Sequence, residues 1–440
     1  MKLTALIKSQ VYLKAYKRKR KMYYGYKISD YTADLAKRAE KDCEDVFKKI
    51  DENALLCSAK ILNAFQECRV SSSDFLEVTG YGYYDAGREK LEQIYAKVFG
   101  AEDALVRPQL MSGTHALAVT LGGLLHYGDT LVYISGEPYD TLRSVIGTAG
   151  ESRNSLIKNG IKYEEISLLG NEFDLEAIRE RLKKGDVRMA AIQRSRGYSQ
   201  RKSLTIDRIE EAIKAVKEVS PDTIVMVDNC YGEFTEDKEP TDVGADVFVG
   251  SMMKNLGAGF AVSGGYCVGR KEVIEDISER LTAPCVGKDL GANFNQLASF
   301  YKGFFMAPTT VAATLKSMAF AARLLELAGF PDVCPKYDEK RTDIVQTLNL
   351  HSPEKLIKFC VGIQKGSPVE AYATPEPSDM PGYPHPEIMA AGTFVSGATN
   401  ELSCDGPMCE PYTAFMQGGL SYDYGKLGVM RALDEMLDLA

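Results

Sequence analysis

Two segments decide the fold: residues 224–232, which read IVMVDNCYG, and residues 247–255, which read VFVGSMMKN. Each begins with a short apolar run that is typical of a buried strand and then turns polar. The residues between 206 and 219 have the apolar spacing of a helix. Strands and helices that alternate in this way predict parallel crossover units in an α/β layered domain.

Further strand and helix signals lie on both sides of these segments. Short apolar runs indicate strands at residues 105–107, 130–134, 189–192 and 265–268, and helical patterns occur at residues 31–70 and 296–327. Residues 358–363 also read as a strand, and residues 374–386 as a long loop. We therefore expect a helical arm over residues 1–75, a large three-layer α/β/α domain with a mainly parallel sheet over residues 76–300, and a smaller α+β domain over residues 301–440.

Charge and composition narrow the class of partner. The chain has 440 residues, 45% hydrophobic and 26% charged, as expected of a globular protein. A net charge of −8 argues against nucleic acid, because phosphate backbones require a basic face. The basic run at Lys14 and Lys17–Lys21 is the local exception, and a solvated helix face or an arm is its ordinary interpretation. No apolar stretch reaches about 18 residues, so neither a signal peptide nor a membrane span is expected.

Cysteine and histidine usage argues against a metal centre. The ten cysteines show no disulfide or metal-ligand spacing, and we expect reduced thiols and a cytoplasmic location. The four histidines are widely separated along the chain, so no metal site is predicted.

The segment Ser112-Gly113-Thr114 stands where a strand-like run gives way to a helix. A helix N-terminus presents unpaired N–H groups and the positive end of the helix dipole, which together favour a phosphate. Glycine lets a ligand approach the backbone closely, and two hydroxyls are available as donors. An ordinary helix N-cap is the alternative interpretation.

Asp228 and Lys254 each follow a predicted strand. A carboxylate at a strand end lies where ligand sites form in α/β domains, and it could hold a heterocyclic nitrogen protonated, bind Mg²⁺ or cap a helix. Lys254 is flanked by methionines, and a partly desolvated lysine has a lowered pKa and becomes a nucleophile. A surface charge is the alternative for any single lysine.

Together the three features predict a pyridoxal 5′-phosphate site. One grips the phosphate, one keeps the pyridine nitrogen protonated, and the lysine holds the aldehyde as a Schiff base. The protonated ring then serves as an electron sink at the substrate's Cα.

At these residues the chain resembles the fold type I pyridoxal phosphate-dependent enzymes, in particular the cystathionine and methionine γ-lyase relatives. Within them it is most similar to the methionine γ-lyase family proteins, also called aluminium resistance proteins. The resemblance runs from about residue 50 to the C-terminus and rests on residues 80–83, 101–109, 112–115, 227–229, 250–251, 254–255, 280–284 and 416–420.

The resemblance implies a role for several residues. Lys254 would be the Schiff-base lysine and the proton shuttle, and Asp228 would pair with the pyridinium nitrogen. The phosphate would be bound by Ser112, Gly113, Thr114 and Ser251. Tyr139 would stack on the cofactor ring and assist proton transfer, with His115 as a rival stacking residue. Tyr81 or Tyr83 would reach the phosphate of a neighbouring subunit, which implies a homodimer or homotetramer.

The chain departs from the family pattern at two places. Leu256 and Ala258 stand where relatives usually have proline and glycine, and Met408-Cys409 stands where they tend to carry an arginine. A substrate carboxylate favours a bidentate guanidinium, so the loss of that arginine leaves the carboxylate anchor open. Arg107, Arg194 and Arg196 are the candidates, and we favour Arg196 because it follows a strand end.

The expected function is a carbon–sulfur lyase that performs β- or γ-elimination on an amino acid. An aminotransferase, an aldolase or a racemase remains an alternative, since the same electron sink serves each of them. A non-catalytic regulatory protein that keeps the fold is the alternative from another class.

Overall fold

The computed structural model describes residues 20–23, 26–380 and 385–439, with side chains from residue 26 onward. The strands are β1 (Arg20–Tyr23), β2 (Tyr26–Ser29), β3 (Asp103–Arg107), β4 (Thr130–Tyr133), β5 (Lys162–Glu165), β6 (Val187–Gln193), β7 (Ile224–Asp228), β8 (Val247–Ser251), β9 (Gly265–Gly269), β10 (Val333–Cys334), β11 (Gln346–Asn349), β12 (Glu387–Ala390), β13 (Ser403–Pro407) and β14 (Thr413–Gln417). The helices are α1 (Asp30–Asp42), α2 (Glu44–Glu67), α3 (Ala86–Val98), α4 (Gly113–Leu124), α5 (Asp140–Ile146), α6 (Leu175–Leu182), α7 (Ile206–Val219), α8 (Lys271–Leu281), α9 (Leu297–Leu327), α10 (Pro353–Gly366) and α11 (Tyr422–Met436).

The described residues form two compact units. The large unit comprises Glu52–Val311 and Arg341–Asp343, and the small unit comprises the described residues up to Asp51, Ala312–Lys340 and those from Ile344 onward. The long helix α9 therefore contributes to both units.

A seven-stranded sheet forms the centre of the large unit, in the order β3-β9-β8-β7-β6-β4-β5. Strands β8, β7, β6, β4 and β5 are parallel, and β9 and β3 are antiparallel to their neighbours. β7 and β8 are buried throughout, which explains their continuous apolar runs. The predicted fold type I α/β architecture with a mainly parallel sheet is confirmed.

The small unit is built on a five-stranded antiparallel sheet in the order β10-β11-β14-β13-β12, together with the hairpin β1-β2. Its core includes Met318, Phe320, Leu356 and Phe359. The predicted α+β character of this region is confirmed.

The predicted strand at residues 358–363 is wrong, because these residues lie in α10. Ser352 caps this helix by accepting a hydrogen bond from the Lys355 N–H, and Pro353 occupies its first turn. The buried side chains of Phe359, Cys360 and Ile363 recur at helical spacing, and the short apolar run concealed that period.

The basic run is only partly described. Lys14, Lys17, Arg18 and Lys19 lie outside the described residues, and Arg20 and Lys21 belong to β1. Among the described helices, none combines the length and the apolar character needed to cross a bilayer. All ten cysteines are thiols without a disulfide bond.

Candidate active site

The candidate site lies in the large unit, at the carboxyl ends of β6, β7 and β8. In the parallel register Gln193 pairs with Asp228, and Asp228 pairs with Val249, so the three strands end at one edge of the sheet. Lys254 follows β8 by three residues. Asp228 and Lys254, which were predicted to follow strands, therefore lie at the edge of the sheet where α/β domains form ligand sites.

The turn that carries Lys254 is tightly packed against its surroundings. The Met252 N–H donates to the Gly264 carbonyl at 2.9 Å, and the Met253 N–H donates to Ser251 Oγ at 3.2 Å. A Cβ on Gly257 would lie 1.7 Å from the Met252 carbonyl oxygen, so only glycine fits there. Lys254 thus projects from a backbone with little room to move.

Ala258, one of the departures from the family pattern, closes the same turn with φ +48°. Glycine adopts this left-handed conformation at least cost, so the glycine of the expected family pattern would suit the position. The substitution leaves the turn intact. Leu256, the other departure, is fully buried.

A tyrosine, Tyr231, and a carboxylate, Asp228, act on the Lys254 amine. Its Nζ atom lies 3.9 Å from the centroid of the Tyr231 ring, and a side-chain hydrogen bond with Tyr231 is among the causes that raise the pKa of Lys254. Burial alone lowers the pKa of Lys254, but Cys230, Tyr231 and Asp228 outweigh burial and raise it. The expectation of a lowered pKa for this free amine is therefore wrong, because it took only burial into account.

Asp228 is buried at the end of β7, where one carboxylate oxygen accepts the Cys230 N–H at 3.1 Å. Burial raises the pKa of Asp228, while the nearby Lys254 lowers it. A buried carboxylate favours a cationic partner, and a protonated pyridine nitrogen supplies one.

The N-terminus of α4 meets the ends of β7 and β8. A Cβ on Gly113 would lie 3.2 Å from Cys230 Sγ and 3.4 Å from Ser251 Cβ, so glycine permits this approach. The first N–H groups of a helix have no backbone partner within the helix. Gly113, with Thr114 next to it in the chain, thus lies beside Ser251 at a helix N-terminus, a setting that suits a phosphate.

The hydroxyls at this helix N-terminus differ in what they contact. Ser112 Oγ accepts the His115 N–H at 3.1 Å and thereby acts as the helix N-cap, which was the alternative interpretation of this residue. Thr114 Oγ1 lies 2.7 Å from Thr141 Oγ1. His115 Nδ1 accepts the Met111 N–H, which directs that ring nitrogen to its own backbone.

Tyr139 lies at the same sheet edge. Its N–H donates to Gln193 Oε1 at 2.6 Å, and its ring centroid lies 5.9 Å from that of Tyr198. The backbone at Gly197 also runs beside this ring. Tyr81 and Tyr83, by contrast, are 73% and 53% exposed in a surface loop, with ring centroids 5.8 Å apart.

The three candidate arginines are all buried, and each of them has partners in the structure. Arg107 bonds Glu92 and the carbonyls of Leu290 and Lys288. Arg194 bonds Asn229 and two carboxylates, those of Glu236 and Glu239. The Arg196 N–H donates to Asp343 Oδ2 at 3.3 Å.

Cys409, one of the two residues that stand where relatives tend to have arginine, lies in the small unit. Burial raises the pKa of its thiol, and so do the carboxylates of Glu387 and Glu410. An arginine at this position would thus have carboxylates close to it, which is the environment of a structural ion pair.

Two residues at the site were missed by sequence reasoning. Tyr231 contacts Lys254, and Cys230 contacts Gly113. Both stand in the quoted segment after β7, yet a strand-end turn gives no signal of where its side chains point. Tyr231 adopts φ +75°, which is uncommon for a bulky residue and is often found at functional sites.

Comparison with known proteins gives a consistent picture. The chain is 45% identical to the uncharacterized protein YnbB of Bacillus subtilis over 404 residues, which is 91% of this chain and 96% of the relative. The crystal structure described as a carbon–sulfur lyase involved in aluminum resistance from Clostridium novyi NT has 44% identity and a TM-score of 0.89, covering 96% of this chain and 98% of that one.

More distant similarity shows the fold. The pyridoxal-5′-phosphate-dependent protein YhfS from Escherichia coli has a TM-score of 0.60 at 20% identity, covering 88% of this chain and 97% of that one. The prediction of pyridoxal 5′-phosphate as cofactor is confirmed, and the residues at the sheet edge fit it. Residues 32–437 match the model of the family described as methionine gamma-lyase. The chain belongs to the methionine gamma-lyase family.

Proposed function

We propose that this protein is a carbon–sulfur lyase that uses pyridoxal 5′-phosphate to act on a sulfur-containing amino acid. The observation that carries the proposal is that Lys254, Asp228 and the N-terminus of α4 meet at one edge of the sheet. When bound, the cofactor supplies a protonated ring that takes up the electron pair left at the substrate's Cα.

Each residue has a part that follows from its position. Gly113, Thr114 and Ser251 would hold the phosphate with N–H and O–H donors. Asp228 would keep the ring nitrogen protonated, since a buried carboxylate stabilises a facing cation. Tyr139 would flank the ring, because its backbone is fixed to Gln193 beside Asp228.

Lys254 would hold the cofactor's aldehyde and, once displaced by substrate, move the proton at Cα. Tyr231 fixes the direction of the amine through its hydroxyl and its ring. A general base requires its proton within hydrogen-bond reach, and a rigid turn meets that requirement better than a mobile loop.

Arg196 would bind the substrate carboxylate. It follows the carboxyl end of β6, where Gln193 pairs with Asp228, so it stands at the sheet edge where the substrate would lie.

A homodimer or homotetramer forms part of the proposal. Tyr81 and Tyr83 are large aromatic side chains on the surface, and such residues are enriched at protein interfaces. One of them would reach the phosphate bound in the neighbouring subunit.

The test is release of a 2-oxo acid, ammonia and a thiol product from cystathionine, cysteine or methionine by the cofactor-loaded protein. The Lys254→Ala variant is the control and should release none. If none of these amino acids is cleaved while the cofactor is bound, the carbon–sulfur lyase activity is refuted.

A further inference from the structure

Behind the turn that carries Lys254, the large unit encloses a carboxyl group that the proposed chemistry does not use. Glu233 lies in the turn after β7 and is 0% exposed. Tyr266, on β9, donates its hydroxyl to Glu233 Oε1. A Cβ on Gly250 would lie 2.2 Å from the Tyr266 hydroxyl oxygen, so the absence of a side chain at Gly250 makes room for this pair.

Asn255, the residue after Lys254, is bound to the same turn. Its Nδ2 donates to the Glu233 main-chain carbonyl at 3.0 Å, and the side chain is fully buried. Two oxygen atoms here, Glu233 Oε2 and Asn255 Oδ1, have no hydrogen-bond partner among the described residues. Each would then bear the cost of an unsatisfied buried acceptor.

A single proton on Glu233 Oε2 would supply the donor that Asn255 Oδ1 lacks. An ionised carboxylate and an amide oxygen are acceptors only, whereas a protonated carboxyl adds one O–H donor. With a proton on Oε2, Glu233 gains an O–H donor, and the Asn255 Oδ1 atom can accept a hydrogen bond from it.

Burial favours the neutral acid at this position. Burial raises the pKa of Glu233 to about 8, with the Tyr266 hydrogen bond and Lys254 acting against burial and Glu239 acting with it. The other titratable groups that face it are Tyr95, on α3, and Cys230, in the same turn, and burial raises the pKa of both. Neither group can become a cation, so neither can stabilise the Glu233 anion as an ion pair would.

We propose that Glu233 is a protonated acid that donates to Asn255 and thereby positions the residue next to Lys254. Asp228 is then left as the carboxylate that balances the charge on Lys254. Glu233 is thus a positioning residue, and only its effect on Lys254 rests on the proposed function.

The first test is the thermal stability of the full chain without added cofactor, measured as Tm between pH 4 and 9. This is roughly the range over which a carboxyl with these pKa values titrates. A folded-state pKa of about 8 against an ordinary value of 4.5 means that the unfolded state loses the Glu233 proton first. Stability from this group is therefore complete below pH 4.5 and is lost as pH rises to 8.

The Glu233→Gln variant keeps a neutral side chain with one acceptor and one donor group. The Tm of the variant minus that of wild type should rise as the pH increases from 4.5 to 8, and it should then level off. The matched control is Glu236→Gln, a buried carboxylate that bonds Arg194 at 2.8 Å and the Ile206 N–H at 3.0 Å. Breaking that pair should lower Tm by roughly 5 °C or more.

A direct reading comes from the infrared absorption of a protonated carboxyl group, which shifts in D₂O. Wild type at pH 7 should show such a band and Glu233→Gln should lack it. Three results would each overturn the proposal. The first is a difference in Tm between the two proteins that does not change with pH, and the second is a loss of Tm in Glu233→Gln equal to that of the control. The third is the absence of the infrared band from wild type.

The effect on Lys254 is read from the pH titration of the visible band of protein loaded with pyridoxal 5′-phosphate. In wild type, ionised Glu233 adds negative charge behind Lys254 at alkaline pH, so the band should titrate at higher pH than in Glu233→Gln. Identical titrations would overturn the effect on Lys254. If no cofactor bound at all, the proposed function would fail, and the Tm and infrared results would still decide the state of Glu233.

Discussion

The Nζ atom of Lys254 lies 3.9 Å from the centroid of the Tyr231 ring, and Tyr231 holds this position with a backbone φ of +75°. The tyrosine stands three residues after Asp228, so one short turn brings the phenol and the carboxylate to the same amine. A strained residue persists only where its surroundings fix it, and here the strain directs a ring and a hydroxyl at Lys254.

The hydroxyl of Tyr231 should be separable from its ring. We expect Tyr231→Phe to lower the pKa read from the visible band of the loaded protein by about one unit, because a hydrogen bond to a charged group contributes about 1.5–3 kcal/mol. Tyr231→Leu removes the cation–π contact as well and should lower that pKa further. Three identical pH titrations would show that Tyr231 does not act on Lys254.

The proposed phosphate site at the N-terminus of α4 predicts that two threonines of this helix differ in their effect on cofactor affinity. Thr114→Val should weaken cofactor binding about tenfold or more, because it removes an O–H donor to a charged phosphate. Thr120→Val is the matched control, since Thr120 Oγ1 donates to the Ala116 carbonyl within the helix. Equilibrium dialysis of pyridoxal 5′-phosphate against both variants measures the difference, and equal affinities would place the phosphate elsewhere.

Asp228→Asn should separate binding from chemistry. The amide keeps the shape of the side chain but cannot hold the ring nitrogen protonated, so we expect cofactor affinity to change little. Exchange of the substrate's Cα proton in D₂O should fall by about 10²–10³-fold, the size seen when one electrostatic stabiliser is removed. Near-normal exchange would mean that Asp228 does not face the ring nitrogen.

Mixed oligomers test whether Tyr81 or Tyr83 serves a neighbouring subunit. A double variant with alanine at both positions and the Lys254→Ala variant should each be inactive or nearly so. Refolded or co-expressed together, they should regain activity, because one subunit supplies Lys254 and the other supplies the tyrosines. No recovery, with mixed oligomers verified by mass, would place the tyrosines in their own subunit's site or outside it.

The positions of Asp228 and Lys254 were predictable because a parallel sheet puts successive strand ends at one edge. The glycine at the start of α4 was predictable for the same topological reason. Residues 358–363 were mistaken for a strand because a six-residue apolar run shows no clear period, and the N-cap at Ser352 identifies the helix.

The electrostatics of Lys254 could not be read from its neighbours in sequence. Met252 turns into the core, where the Tyr95 hydroxyl contacts its sulfur at 3.2 Å. The groups that set the pKa of Lys254 come from the end of β7 and the turn after it, more than twenty residues earlier in the chain. Tyr231 was missed for this reason, since only the folded turn shows that its ring points at the amine.

The central claim is that Lys254 holds pyridoxal 5′-phosphate covalently, and borohydride reduction of the loaded protein tests it most directly. We predict that borohydride removes the visible absorption band and leaves the cofactor's mass on the peptide that contains Lys254. A loaded protein without such a band, or a label on another lysine, would contradict the account of this site.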